Sequence, residues 1–179
     1  MFFISVGILK QIAMKKILFL CFALVCSVVA VAQYTDTYTF EKGKSLLGVN
    51  VGVHVGKDNR TAITGMYEVG LANLFVDECT LGGGIFGGFF KNELGLEKEK
   101  IYIAGIRLNV HYQFVDRLDT YAGIAPNFNI MTFEMAKNKA QFDTYFHVGG
   151  RYYIFNWLGV YAEASTGFNN FSGGVSLKF

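Results

Sequence analysis

The chain has one proline in 179 residues, and only 17% of its residues are charged, against about 25% in ordinary soluble domains. It also lacks a linker: no Pro-rich, Ser-rich or single-charge run divides it, so one domain is expected. After the first 33 residues, no stretch repeats its apolar positions every 3.6 residues, which excludes a helical bundle and a crossover-helix fold. The 21 glycines sit inside apolar alternating segments rather than in low-complexity repeats. That placement excludes a disordered chain and suits strands that need one small face.

Long apolar runs are scarce as well. The clearest is Ile17 to Ala32, which follows Lys15 and Lys16 and ends in Ala30-Val31-Ala32 before Gln33. A basic start, an apolar middle and small residues at the end describe a secretory signal peptide over 1–32, with Met14 as an alternative start. The run is short for the roughly 20 residues that a spanning helix requires. Cleavage after Ala32 removes Lys10, Lys15 and Lys16 and no acid, so the 16 basic residues fall to 13 against 14 acidic. The mature charge is then near −1, and no nucleic-acid partner is implied. Cys21 and Cys26 leave with the signal, so Cys79 is expected to be alone, without an internal disulfide. A lipid anchor at Cys26 is disfavoured by Val25, where a small residue is expected.

What the chain does have is alternation. In LGVNVGVHVG (47–56), Leu47, Val49, Val51, Val53 and Val55 share one face, and Gly48, Asn50, Gly52, His54 and Gly56 share the other. That is the pattern of a strand with one apolar face. After a polar leader (33–44), eight such segments follow, at about 45–57, 62–74, 80–90, 100–115, 119–133, 143–155, 158–168 and from Gly173 to the end of the sequence. The fourth sets Ile106, Leu108, Val110, Tyr112 and Phe114 against Gly105, Arg107, Asn109, His111 and Gln113. Pro126 cannot donate a ladder hydrogen bond, so a bulge or local irregularity is expected there. Longer breaks (KDNRT, KNELGLEKEK, EMAKNKAQ, FNNFS) alternate with tighter ones (VDRLD, FNW). Hairpins throughout describe an antiparallel meander, and an even strand number lets it close. The expected fold is therefore all-β: an eight-stranded antiparallel up-and-down barrel over 45–179.

Which face meets water decides the class. A soluble, lipocalin-like carrier would put the aliphatic face inside, but its surface would then be Gly and Asn with about one charge per strand. The inverted arrangement turns the apolar side chains to lipid and places Gly, Asn, His, Arg and Glu inside a closed barrel, which alone satisfies its backbone in a bilayer. Arg107 and Arg151 both fall on the non-aliphatic face; an arginine facing lipid at the midplane would cost about 2–4 kcal/mol. Aromatic clusters are expected on the two rims, Tyr112, Phe114, Tyr152 and Phe155 on one and Phe89, Phe90, Phe168 and Phe171 on the other.

The segments TYAGIAPNF and GGRYYIFNWLGVYAEASTG resemble strands of small outer-membrane barrels of the OmpX, OmpW and OmpA kind. The ending from Gly174 through Leu177 to Phe179 resembles the C-terminal signal read by the outer-membrane assembly machinery. The resemblance implies a transmembrane barrel in a Gram-negative outer membrane. Its implied partners are outer-membrane lipids, lipopolysaccharide and the barrel assembly machinery, with a monomeric state; that group includes a few lipid-modifying enzymes, so the expectation of no enzyme activity and no cofactor comes from the residues themselves. The implied role is structural or a cell-surface interaction. A narrow porin-like pore, a lipid-modifying enzyme and a soluble carrier are the competing roles. The outer connections are shorter than those of adhesive members of that group.

Glu68, Arg107, Arg151, Glu163 and Lys178 are all expected inside. A turn centred near Trp157 sets Arg151 opposite Glu163 as an ion pair. Turns centred near Val76 and between Gly95 and Leu96 set Glu68 opposite Gly84 and Gly84 opposite Arg107, so that Glu68 and Arg107 meet over the glycine. A polar network plugging the lumen is the expected result, with a gated ion path as the alternative. His54, His111 and His147 point inward at different heights, too far apart to share a metal. Ser165 near Glu163 and His147 suggests a hydrolase only on paper, because no lipid-facing surface carries the three groups together. Gly82, Gly84 and Gly87 have dinucleotide-fingerprint spacing, but no helix follows them and packing glycines explain them better. The lysines in KNELGLEKEK and AKNKAQ are solvated loop charges or contacts to lipopolysaccharide phosphates.

Overall fold

The fold was obtained as a computed structural model. It describes residues 40–55, 60–76, 78–92, 99–133 and 139–179, all within one compact unit, Asp36–Phe179. The expected signal peptide, the leader as far as residue 39 and most of KDNRT, KNELGLEKEK and EMAKNKAQ lie outside the described residues.

Eight strands form: β1 Ser45–His54, β2 Arg60–Asn73, β3 Cys79–Asn92, β4 Glu99–Val115, β5 Leu118–Phe133, β6 Lys139–Phe155, β7 Leu158–Ser165 and β8 Phe171–Lys178. Each pairs antiparallel with its neighbours in sequence, and β8 pairs with β1, closing the barrel. The sequence alternation translates directly into two surfaces. Along β1 the positions from Leu46 to Val53 alternate between buried and exposed, and on β4 Ile106, Leu108, Val110, Tyr112 and Phe114 point out while Arg107, Asn109 and His111 are buried. With the aliphatic side chains on the outer wall and the polar set within, the fold is that of a transmembrane barrel, because only closure leaves no unpaired edge through the hydrocarbon.

One end carries the tight connections 74–78, 116–117 and 156–157 and is called the turn end; the opposite end is the loop end. All three register irregularities fall at the turn end, between Gly70 and Ala72, between Gln113 and Val115, and between Tyr153 and Phe155. An extra residue there tightens the local twist, and two of the three hairpins, at 116–117 and 156–157, then close through two-residue turns; Arg117 takes a left-handed φ of 61° in the first of these. At Pro126 the register does not shift, since Gly105 faces Asn127 and Leu108 faces Ile124, but the ladder is interrupted there: Ile106 and Arg107 have no paired residue on β5, the local irregularity expected of a residue without an N–H.

The end of the polar leader is part of the barrel. Gly43, at φ 84°, donates its N–H to the Gly70 carbonyl at 2.8 Å, and Gly70 donates back to the Lys44 carbonyl at 2.9 Å. The Glu41 carbonyl lies where a Cβ on residue 70 would stand, so the strap closes against β2 only over a glycine. Phe40 is thereby inserted into the turn-end mouth, in a buried cluster with Leu46 and Tyr153. The Thr80 hydroxyl donates to its carbonyl at 3.1 Å.

Candidate functional site

The polar and titratable side chains of the barrel converge in its lumen. Inward positions two apart on each strand stack side chains along the barrel axis, and the described lumen divides into two layers of opposite chemistry.

From the turn end to mid-height the layer is ionic. The Arg151 guanidinium, 0% exposed, donates from Nη1 to Asp119 Oδ2 at 2.6 Å. Asp119 Oδ1 lies 2.8 Å from His111 Nδ1, and His111 Nε2 lies 2.8 Å from Glu68 Oε1. Asn109 donates from Nδ2 to the same Glu68 oxygen at 2.7 Å, and its Oδ1 meets His147 Nε2 at 2.6 Å. Across the lumen, Arg107 donates from Nη2 to Glu163 Oε2 at 2.6 Å, and the Tyr121 hydroxyl donates to that oxygen at 3.1 Å. Arg151 also lies over the Tyr121 and Tyr161 rings, 5.2 and 5.5 Å from their centroids. Charges this far from water persist only when partnered in this way.

Toward the loop end the layer is built mainly of apolar side chains, with Asn50 and Asn127 as its buried polar members. Met66, Phe86, Ile103, Ala125, Tyr145 and Tyr161 form one buried cluster, and Ala62, Phe90 and Ile101 form another. Phe168, in the 166–170 connection, packs against both clusters, its ring centroid 4.9 Å from that of Phe90. That connection folds inward as a lid. The Ser165 hydroxyl bonds the Asn169 carbonyl, Asn170 donates its N–H to the Val53 carbonyl at 3.0 Å, and Asn169 fills the space above Gly52. Between the layers, beside Arg107 and Glu163, a cavity of about 20 Å³ remains, room for about one water.

The four network residues expected from the sequence all lie in the lumen and are buried, but their partners differ from expectation. Arg151 faces Tyr161, and Glu163 faces Gly149, so Arg151 and Glu163 are not opposed. The two-residue turn at 156–157 and the adjacent irregularity at Tyr153/Phe155 move the register away from one centred on Trp157. Glu68, Gly84 and Arg107 do line up in adjacent strands as expected. Arg107 nevertheless reaches across to Glu163 on β7, while Glu68 turns to Asn109 and His111, because small barrels bring distant strands within side-chain reach. Lys178 sits at the turn-end rim with Nζ 4.4 Å from the Tyr153 ring centroid. Phe90 and Phe168, expected on an outer aromatic girdle, are instead lumen residues, whereas Phe89 and Phe171 do face outward.

Asp119 and Phe40 were missed. Asp119 follows a turn and reads as a turn acid; its signal was that it occupies the inward parity of Tyr121, Gly123 and Ala125. Phe40 had no periodic context at all. Of the histidines, His111 and His147 are buried and His54 is partly exposed. Among the described residues no group of His, Cys, Asp and Glu could hold a metal ion, since Glu68 and Asp119 lie on opposite nitrogens of His111.

The class these features define is a small transmembrane β-barrel with a filled interior. No protein-family model and no curated protein matches the sequence. Solved structures do match the fold. Ail, the attachment invasion locus protein of Yersinia pestis, crystallised with the heparin analogue sucrose octasulfate, superposes with a TM-score of 0.57 at 8% identity, over 77% of this chain and 99% of that one. Ail in a phospholipid bilayer nanodisc gives 0.51 at 10% identity, over 77% and 100%. A de novo designed transmembrane β-barrel gives 0.52 at 16% identity, over 78% and 98%. At these identities the likeness is one of fold.

Proposed function

We propose that the chain is an integral protein of a Gram-negative outer membrane, with a structural or interactive role at the cell surface and no catalysis. The carrying observation is that, among the described residues, an outer wall of exposed Val, Leu, Ile and Phe surrounds a lumen filled from both ends, by Phe40 above an ionic layer at one end and by Phe168 above a mainly apolar layer at the other. The turn end then faces the periplasm and the loop end the exterior, with lipid and lipopolysaccharide around the wall. Recognition of Gly174, Leu177 and Phe179 by the assembly machinery belongs to this reading; Leu177 and Phe179 turn outward, where another protein can reach them.

Several observations favour it over its rivals. A pore needs an open path, and Met66, Phe86, Phe90, Ile101, Ile103 and Tyr145 are buried in the outer half of the lumen. A Ser-His-acid hydrolase needs its groups in contact, yet Ser165 bonds the Asn169 carbonyl, His147 bonds Asn109 and Glu163 is taken by Arg107. A soluble carrier would not expose a belt of Val, Leu, Ile and Phe around its circumference.

Planar-bilayer recording tests the sealed lumen. The full chain is expected to insert and give no conductance steps, and uniform single-channel steps would replace this reading with a pore. Lipid A mass spectra with and without the protein are expected to coincide; a new acylated or deacylated species would make it an enzyme.

A further inference from the structure

The loop-end rim is lopsided. The wall strands β7 and β8 have eight residues each, whereas β6 has 17. Since 9–11 residues of a tilted strand cross the hydrocarbon, the outer part of β6 stands clear of it, and every residue from Lys139 to Thr144 is exposed. This stretch pairs with β5 on one side, Lys139 opposite Met131 and Thr144 opposite Pro126. Toward β7 the ladder stops at His147 opposite Ser165, and Thr166 extends it by one step, donating its N–H to the Phe146 carbonyl at 2.9 Å. The lid then turns into the lumen.

Because Phe146 presents its backbone groups to this side, Ala140, Phe142 and Thr144 do the same. Thr144 N–H is already capped by Asp143 Oδ1 at 2.7 Å. Among the described residues, Ala140 and Phe142 have no ladder partner there. An open strand edge outside a membrane is a template for another strand.

Which strand fits is set by charge. The side chains flanking the edge are Lys139, Gln141 and Asp143. In an antiparallel pair with a second copy, centred on Gln141, Ala140 of each copy exchanges both backbone hydrogen bonds with Phe142 of the other. Lys139 then lies directly opposite Asp143, and Gln141 opposite Gln141. A foreign strand with like charges at those positions is repelled, whereas the same sequence run backwards is complementary.

Symmetry selects where the second copy stands. A twofold axis along the membrane normal leaves strands tilted by 35–45° crossed rather than antiparallel. An axis lying between two facing membranes reverses the strand and permits the pair. We propose that the edge Lys139–Thr144 of β6 is a homotypic adhesion strand, pairing antiparallel with the same edge of a copy in an apposed membrane.

This rests on the cell-surface reading, and the test separates the two. The full chain is reconstituted into phosphatidylcholine vesicles, insertion is verified by heat-modifiable gel mobility, and clustering is followed by light scattering and by mixing two dye-labelled populations. Failure to insert would overturn the membrane reading itself. Once inserted, wild-type vesicles are expected to cluster. Lys139→Glu vesicles alone, with two acids, and Asp143→Lys vesicles alone, with two lysines, are expected to lose clustering, and mixing them is expected to restore it. Ala140→Pro, which removes an edge-facing N–H and leaves the β5 ladder intact, is expected to abolish clustering without altering gel mobility. Inserted wild-type protein that does not cluster, a single charge variant that clusters like wild type, or a mixture that fails to recover would overturn the homotypic strand. So would an extended peptide without this charge pattern occupying the edge in an Ala140-dependent way while vesicles stay apart.

Discussion

Side by side, the two layers of one lumen are built of unlike materials. Around Arg151 and Arg107 the contacts that position the side chains are charge-assisted hydrogen bonds and tyrosine faces; around Phe86 and Phe90, contacts are non-directional packing. The ionic layer lies beneath the tight turns, two of them two-residue hairpins, which fix the strand ends that carry its side chains. The apolar layer lies beneath longer connections and draws on six strands, which suits groups that tolerate small shifts. A salt-bridged layer is specific but unforgiving, and an aromatic layer is adaptable but dry.

The largest expected effects lie in the ionic layer. Asp119→Ala removes the carboxylate shared by Arg151 and His111 and is expected to cost about 3–5 kcal/mol, the range for breaking a buried pair while its partner stays. Urea unfolding in lipid vesicles measures it; a loss below about 1 kcal/mol would mean that Arg151 finds water or another acceptor. A double-mutant cycle sharpens the pairing. Arg107 and Glu163 are expected to couple by roughly 1–3 kcal/mol, and Arg151 and Glu163 by much less. Equal coupling would return the pairing read from the sequence.

In the apolar layer, Phe86→Ala is expected to cost about 3 kcal/mol through its cavity, but Phe86→Leu less than about 1.5, because volume rather than geometry is what the site needs. If the leucine variant lost as much as the alanine one, this layer would be as geometrically demanding as the ionic layer, and the contrast would fail. Between them in size is Gly84→Ala. A Cβ there would meet the Tyr67 carbonyl oxygen and stand 2.8 Å from Glu68 Cα, backbone atoms that cannot step aside, so about 1–3 kcal/mol of overpacking strain is expected.

How much of this could be read in advance follows from what alternation encodes. Period-two patterning in segments such as 47–55 and 106–114 specifies strand, face and neighbour, so the strand number, the lipid-facing wall and the inward placement of Arg107, Arg151, Glu68 and Glu163 were legible. It carries no information about which inward side chain meets which across the axis, because that depends on shear and closure. Arg107 therefore met Glu163, three strands away along the wall. A two-residue error at the 156–157 turn was enough to misplace Arg151. The apolar layer was obscured because Ile101, Ile103, Phe86 and Phe90 break the rule that the inside is polar, in segments such as IYIAGI and IFGGFF that are apolar on both faces. Phe40 belongs to no strand, and its insertion depends on a Gly70 that reads only as one glycine among many.

The smallest expected change in stability tests whether the two seals act independently. Phe40 and Phe168 each cover one mouth, and truncating either to alanine is expected to cost only about 1–2 kcal/mol, part of the value of a buried aromatic ring. Their effects on access should differ sharply. In a Cys79→Ser background, a cysteine at Thr80, directly beneath Phe40, is expected to react slowly with a charged thiol reagent. Phe40→Ala should accelerate that reaction, while Phe168→Ala should leave it unchanged, because the clusters of Met66, Phe86 and Tyr145 still stand between the loop-end mouth and Thr80. Neither single variant should conduct ions in a bilayer, since each opens one mouth onto a layer that stays filled. Acceleration by Phe168→Ala would show that the apolar layer is a thin lid rather than a plug, and the two halves would then form one continuous, gated space.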